Sequence, residues 1–316
     1  MGKVGGNRNF GYGKKMDWAG KNALADRYGE GHYATRAAHA ERWQQFVAYA
    51  RTVGITDARQ INRGTVEKYG QQLAEQARQG ARTVSYAQNL LSTVNVVMQT
   101  MRGDKALQVS PAALVGQRAH VRNSPPAGME RDQVERAIQV LREKGEIQTA
   151  AVASLARDLG LRFREASLLD AKGAMKQAQS LGKINVTEGT KGGRGREVDR
   201  WVPVTERALQ SLVTAAKLQE DARNLIPKDM AFSQWKDHAH HAWLQIAETL
   251  GLHSFHDLRA AYACERYQHI TGYPAPAVAG ERQASKHDDQ AARRVIAEEL
   301  GHGRTEVTVA YVGSAR

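Results

Sequence analysis

His256 and Arg259 stand three residues apart in a helical pattern, a spacing that puts both on one helix face. A guanidinium is a planar fork of donors that matches a phosphate, and an imidazole exchanges protons near neutral pH. The pair suits work on a phosphate, although a solvated helix face carries the same two residues as readily. Arg162 and Glu165 lie in Gly160-Leu161-Arg162-Phe163-Arg164-Glu165, at the end of a helical stretch. Lys191 lies in Gly189-Thr190-Lys191-Gly192-Gly193, His302 follows Leu300-Gly301, and Tyr311 comes nine residues after His302. The Lys191 turn is not a Walker loop, which needs Gly-Lys-Ser/Thr entering a helix, because a strand pattern follows it. It is either a basic hairpin tip or a lysine delivered into a groove by a mobile turn. His238, His240 and His241 have no cysteine nearby and no zinc-ligand spacing, so a solvated helix is the simpler reading.

The elements that must position these residues divide the chain. At 316 residues there is room for two domains of roughly 100–200 residues each. Met1–Asp17 carries Lys3, Arg8, Lys14 and Lys15 among glycines and is expected to be a flexible basic arm, either disordered or touching a polyanion. Residues 18–102 have helical periodicity: Trp43, Phe46, Val47 and Ala50, then Val66, Tyr69 and Leu73 behind Asn62 as N-cap, then Ala87, Leu90, Leu91, Val94, Val97, Met98 and Met101. Their outer faces carry Arg36, Arg42, Arg51, Arg59, Arg63, Lys68, Arg78 and Arg82. Residues 103–128 read as a linker, marked by Gly103, Pro111, Pro125-Pro126 and Gly128. The second domain, 129–316, is predicted to be helical around one small antiparallel sheet, with strands at Lys183–Val186 and Val198–Val204.

A net charge of +12 with a pI near 9.8 points towards a polyanion, most simply nucleic acid. An aromatic fraction of 6% argues against a single-strand binder built on stacked rings. The single cysteine, Cys264, excludes an internal disulfide framework and fits a small core residue in a reducing compartment. No apolar run approaches the roughly 20 residues of a membrane span, and the N-terminus lacks the apolar core of a signal peptide.

Taken in order, Gly160-Leu161-Arg162-x-x-Glu165, Thr190-Lys191, His256-Asp257-Leu258-Arg259, Leu300-Gly301-His302 and Thr308 with Tyr311 resemble the tyrosine recombinases, the phage-type integrases. The nearest flavour is the integrase of an integrative or conjugative bacterial element. The resemblance is specific over residues 129–316 and weaker over the N-terminal helices, which look like a core-binding, SAM-like domain.

The resemblance implies a mainly α fold with a small antiparallel sheet and a site-specific recombinase that integrates or excises a mobile element. Tyr311 would attack the scissile phosphate, form a 3′-phosphotyrosyl bond and release a 5′-hydroxyl. Arg162 and Arg259 would cancel charge on the non-bridging oxygens. His256 would act as base, Lys191 would protonate the leaving oxygen, His302 would donate to the phosphate, and Glu165 would hold an arginine or His256 in place. The Gly-Leu-Arg-x-x-Glu register selects Arg162 over Arg164. The covalent ester conserves bond energy, so neither ATP nor a metal is expected as cofactor. Expected partners are double-stranded DNA, further copies of the chain in a tetramer, and in some reactions a DNA-bending or directionality factor. A bacterial cytoplasmic, nucleoid-associated location follows, with no membrane partner.

Two departures from the family stand out. The interval from Arg259 to His302 is long, with the excess near Thr271–Arg294: an inert surface loop by default, otherwise a DNA contact or a protomer contact. Only five residues follow Tyr311, too few for the C-terminal element by which family members dock on a neighbouring protomer, so protomer control would fall elsewhere. The rival functions are a type IB topoisomerase-like enzyme and a non-catalytic DNA-binding regulator.

Overall fold

Helical periodicity becomes helix wherever an apolar stripe has a partner to bury against. In the computed structural model, which describes residues 7–314, the first unit spans residues 1–119 and the second 120–316. The first unit holds α1 (Met16–Tyr28), α2 (Tyr33–Thr52), α3 (Arg63–Arg78), α4 (Val84–Arg102) and α5 (Pro111–Val115). The side chains of Asn62, Thr83 and Ser110 cap α3, α4 and α5 by accepting from Thr65, Tyr86 and Ala113 backbone N–H groups. Trp43, Phe46, Leu90, Leu91 and Val94 meet in its core, all fully buried.

The expected flexible arm is folded where it is described. Asn9 and Phe10 are buried in left-handed backbone, and Asn9 exchanges hydrogen bonds with Asp57 and Ala58 at 2.9 and 2.7 Å. Lys3 lies outside the described residues. The physical reason is Asn9 itself, a residue that tolerates positive φ and closes local hydrogen bonds. Four of the outward arginines pair with carboxylates of their own unit: Arg51 with Asp17, Arg59 with Asp57, Arg63 with Glu67 and Arg78 with Glu75. The stretch 103–128 contains α5 and the boundary between the units.

The second unit begins with α6 (Arg131–Glu143), α7 (Ile147–Leu159), α8 (Phe163–Leu168) and α9 (Ala171–Leu181). Strands β1 (Lys183–Asn185) and β2 (Trp201–Pro203) pair antiparallel with Ile184 opposite Val202. Then come α10 (Glu206–Gln219), α11 (Phe232–Ala247), α12 (Phe255–Thr271), α13 (Pro276–Ala279), α14 (Lys286–Glu299) and α15 (Val309–Val312). Helices α7 and α12 run through the core and are buried along most of their length. The strands are shorter than predicted because residues 191–196 close on themselves as 3-10 turns; one further ladder bond, Val186 N–H to Arg200 C=O at 2.9 Å, extends the pairing.

The 271–294 stretch is not an inert loop. It forms α13 and the first half of α14, and it buries Ala275, Ala277, Ala284, Asp289 and Arg293. No helix among the described residues is long and apolar enough to cross a membrane.

Candidate active site

Arg162 is placed by the break between α7 and α8. Gly160 ends α7 with φ +62°, and a Cβ there would stand 2.4 Å from the Tyr262 ring, so only glycine fits. The chain then enters α8, where Glu165 accepts from the Arg162 backbone N–H at 2.7 Å and from its guanidinium at 2.5 Å. Glu165 is fully buried and faces two more arginines, Arg200 at 2.8 Å and Arg259 at 3.4 Å. Burial alone would raise the Glu165 pKa; Arg200, Arg259 and Arg162 overcome it and hold the carboxyl at about 2. Glu165 thus serves arginines, and His256 is not among its contacts.

The His256–Arg259 pair sits in the first turn of α12, but its members differ in burial. Arg259 is fully buried, donates to the carbonyls of Gly160 and Leu300, and lies 5.6 Å from the centre of the Tyr311 ring. Desolvation, then Arg162 and Arg200, bring its pKa down to about 10. His256 stays exposed, yet the loss of water around its ring and the charges of Arg259, Arg122 and Arg162 lower its pKa.

Tyr311 lies on α15 and is 4% exposed. Its hydroxyl is 3.2 Å from His302 Nε2, and the His256 ring stands 5.2 Å away, centre to centre. The group in hydrogen-bond contact with Tyr311 is therefore His302, whereas sequence reasoning had given the base to His256. Desolvation and the charges of Arg259, Arg162 and Arg200 push the His302 pKa down to about 3, which keeps the ring neutral and able to accept. Two further arginines secure this segment. Arg122 donates its backbone N–H to Val309 C=O at 2.9 Å and pairs with Asp257 at 3.0 Å. Arg293, buried against Asp289, reaches Gly313 C=O at 3.0 Å and Ser314 C=O at 3.1 Å.

Arg162, Lys191, Arg200 and His302 line one cavity of about 450 Å³, with Arg294 and Arg304 at its edge. Lys191 is exposed at the start of the turn, whose Thr190 hydroxyl accepts from Gly195 N–H at 2.9 Å. His256, Arg259 and Tyr311 are not part of that lining; His302 belongs to both groups and joins them. Arg164 leaves the site, its guanidinium 5.5 Å from the Phe232 ring. Sequence reasoning missed Arg122, Arg200 and Arg293; Arg122 and Arg200 have only distant partners, and the Asp289–Arg293 i,i+4 pair looks like any helix ion pair until its reach to Gly313 is seen. The three histidines on α11 diverge: His238 pairs with Glu146 at 2.9 Å, His240 packs on Phe163 and Phe255, and His241 meets Gln245 at 2.8 Å. Among the described residues no three side chains of metal-binding type cluster together.

Residues 120–265 match the family model described as Integrase. The fold is similar to that of residues 75–356 of lambda integrase, solved as a dimer bound to a COC′ core site, at 16% identity and a TM-score of 0.56, over 92% of this chain and 94% of that one. It is also similar to the Tn1549 transposon integrase in complex with a circular intermediate DNA, at 10% identity and a TM-score of 0.60, over 95% and 96% of the two chains. A comparison with curated protein sequences finds no match. Residues 120–265 are thus integrase-like in sequence, and the fold of the chain is that of these two integrases.

Proposed function

We propose that the chain cuts and rejoins duplex DNA through a covalent bond between Tyr311 and a 3′ phosphate, in the integration or excision of a mobile element. The observation that carries this reading is the contact of Tyr311 with His302 at the edge of a cavity lined by Arg162 and Lys191. A tyrosine is a poor nucleophile at neutral pH, since its hydroxyl ionises near 10. Neutral His302 is the acceptor in reach of that proton, and His256 flanks the other side of the ring. As Tyr311 Oη bonds to phosphorus, the bond to the 5′ oxygen breaks, and Lys191 gives that oxygen a proton. Arg162 and Arg259 spread their charge over the non-bridging oxygens, a contribution typically worth about 2.7–4 kcal/mol for each such donor. The ester keeps the energy of the broken bond, so no step calls for ATP or a metal.

A net charge of +12 supports double-stranded DNA as partner, and the lambda integrase structure solved as a tetramer on a Holliday junction supports copies of the chain, four on two paired sites; an accessory DNA-bending or directionality factor is expected in some reactions. The test uses a pool of nicked duplexes of randomised sequence, from which the cut strand cannot religate. Wild-type protein should form a covalent adduct resistant to denaturation, and sequencing the attached DNA yields the preferred site. Tyr311→Phe should form none; an adduct in that variant rules out Tyr311 as nucleophile. On plasmids carrying two copies of the site, recombinant junctions are expected, whereas relaxation without exchange would favour the topoisomerase reading.

A further inference from the structure

Arg200 has no place in the roles above, yet its side chain is buried among the groups that line the cavity. Its backbone is fixed in the hairpin, donating to Asn185 Oδ1 at 2.9 Å and accepting from Val186 N–H at 2.9 Å. Its side chain, 4% exposed, donates Nε to Glu299 C=O at 2.8 Å and sets Nη1 at 2.8 Å from Glu165. It packs on the turn that delivers His302: a Cβ on Gly301, where φ is +65°, would come 2.9 Å from Arg200 Cδ. Three segments that each carry a cavity-lining group, namely the Arg162 cap of α8, the hairpin and the end of α14, therefore meet on this guanidinium.

The hydrogen bonding is incomplete in a telling way. Nη1 of Arg200 has the Glu165 carboxylate 2.8 Å away, but Nη2 makes no hydrogen bond, although it is buried and the residue lines the cavity with Arg162, Lys191 and His302. Arg259 Nε is left in the same condition. Three guanidinium charges, those of Arg162, Arg200 and Arg259, surround the single carboxylate Glu165, which leaves a surplus of two positive charges. The next carboxylate, Glu299, is taken up by Arg266 at 2.6 Å and Tyr262 at 2.8 Å. At the rim, Lys191, Arg294 and Arg304 outnumber Asp199 and Glu298. Burying unmatched charge and unpaired donors opposes folding, so such an arrangement persists where an anion completes it.

We propose that Arg200 is a third phosphate-clamping arginine, a catalytic residue that contacts the scissile phosphate beside Arg162 and Arg259. This rests on the phosphoryl-transfer reading above. An ionised tyrosine and a phosphodiester together bring two negative charges to the transition state as Oη–P forms and P–O5′ breaks. With Arg200 the surplus around Glu165 is two positive charges, whereas Arg162 and Arg259 alone would leave one.

The experiment compares strand cleavage of the selected duplex with cleavage of the same duplex carrying an uncharged methylphosphonate at the scissile position. Wild type, Arg200→Ala and the neutral, bulk-preserving Arg200→Met are assayed on both, with duplex affinity measured by gel shift. On the natural phosphate the two variants should cleave about a hundred- to thousand-fold more slowly than wild type. On the methylphosphonate, where there is less charge to cancel, that deficit should shrink by tenfold or more, with affinity unchanged. Cleavage within threefold of wild type on phosphate overturns the proposal. So does an equal deficit on both duplexes, or failure of both variants to fold, since either makes Arg200 a framework strut. If wild type forms no adduct at all, it is the phosphotyrosyl reading that fails, and the two failures stay distinct.

Discussion

Tyr311 and Lys191, proposed as the nucleophile and as the proton donor to the leaving oxygen, are held in opposite ways. Tyr311 is buried on a short helix, touched by His302 and secured on either side by Arg122 and Arg293. Lys191 is exposed in a turn where Gly192 and Gly193 both take positive φ, and the bonds from Gly193 N–H to Thr190 C=O and from Gly195 N–H to the Thr190 hydroxyl lie inside the turn. The nucleophile must be presented at one distance and angle, and a misplaced one cuts where it should not. A proton donor needs only to reach the leaving oxygen after the bond has begun to break. The tyrosine side is thus tied into the folding energy of the unit, and the lysine side is nearly independent of it.

The largest stability effect is expected at the hub of the held side. Glu165→Gln removes the one carboxylate shared by Arg162, Arg200 and Arg259. Removing one partner of a buried ion pair typically costs about 3–5 kcal/mol, because the other charge is left uncompensated. Urea denaturation of the variant should show a loss in that range; a loss below about 1 kcal/mol would mean that the arginines repel less than their crowding implies. Arg293→Ala should come next, near the lower end of that range, since Asp289 keeps its bond to the Tyr267 hydroxyl at 2.8 Å. Its signature is local: amide hydrogen exchange across 309–314 should quicken while α7 stays protected. Uniform quickening throughout the unit would show that Arg293 supports the whole core and has no special hold on the tyrosine.

These two regions also differed in how far the sequence revealed them. Asn62 as a cap and the apolar stripe of α4 are local signals, and the helices follow them. The Gly-Leu-Arg-x-x-Glu register picked Arg162 over Arg164, and the cavity contains the former while the latter stacks by Phe232. The shared face of His256 and Arg259 was legible from spacing, but their contrast in burial was not, because it depends on what packs against the face. Arg293 reaches Gly313 across 20 positions, and Arg200 reaches Glu299 across 99. Nothing in the neighbourhood of either residue encodes such a partner. The segment around Asn9 was misjudged for a related reason: its glycines look like disorder until Asp57, 48 positions on, supplies the hydrogen bond that folds it.

An intermediate effect is expected from pH, and its sign separates the histidine side of the site from its carboxylates. His39, His240, His256 and His302 all have pKa values lowered by desolvation and neighbouring cations, His302 the furthest, to about 3. A histidine whose folded pKa lies below its unfolded value near 6.5 contributes stability that is fully present above that value and is lost as pH falls. Stability should therefore drop between pH 7 and pH 5, before Glu165 begins to titrate on its way to about 2. The denaturant midpoint at the two pH values checks this, and His302→Asn should make the drop smaller. A midpoint that is flat or rises towards pH 5 contradicts the placement of neutral His302 against Tyr311.

The smallest stability effect, with a large effect on rate, is expected at Lys191. An exposed residue whose turn closes on its own hydrogen bonds should tolerate Lys191→Ala within about 0.5 kcal/mol. A positioned proton donor nevertheless contributes about 10²–10⁴ in rate. The two roles open to this lysine, acid for the leaving oxygen or plain cation in the groove, separate on a duplex whose 5′ bridging oxygen is replaced by sulfur. A thiolate leaves without a proton, so an acid becomes dispensable while a groove cation does not. Lys191→Ala should cleave the sulfur-bridged duplex at close to the wild-type rate and the natural one far more slowly. Equal slowing on both would make the lysine a phosphate contact, and the looseness of its turn would then need another reason than the tolerance of late proton delivery.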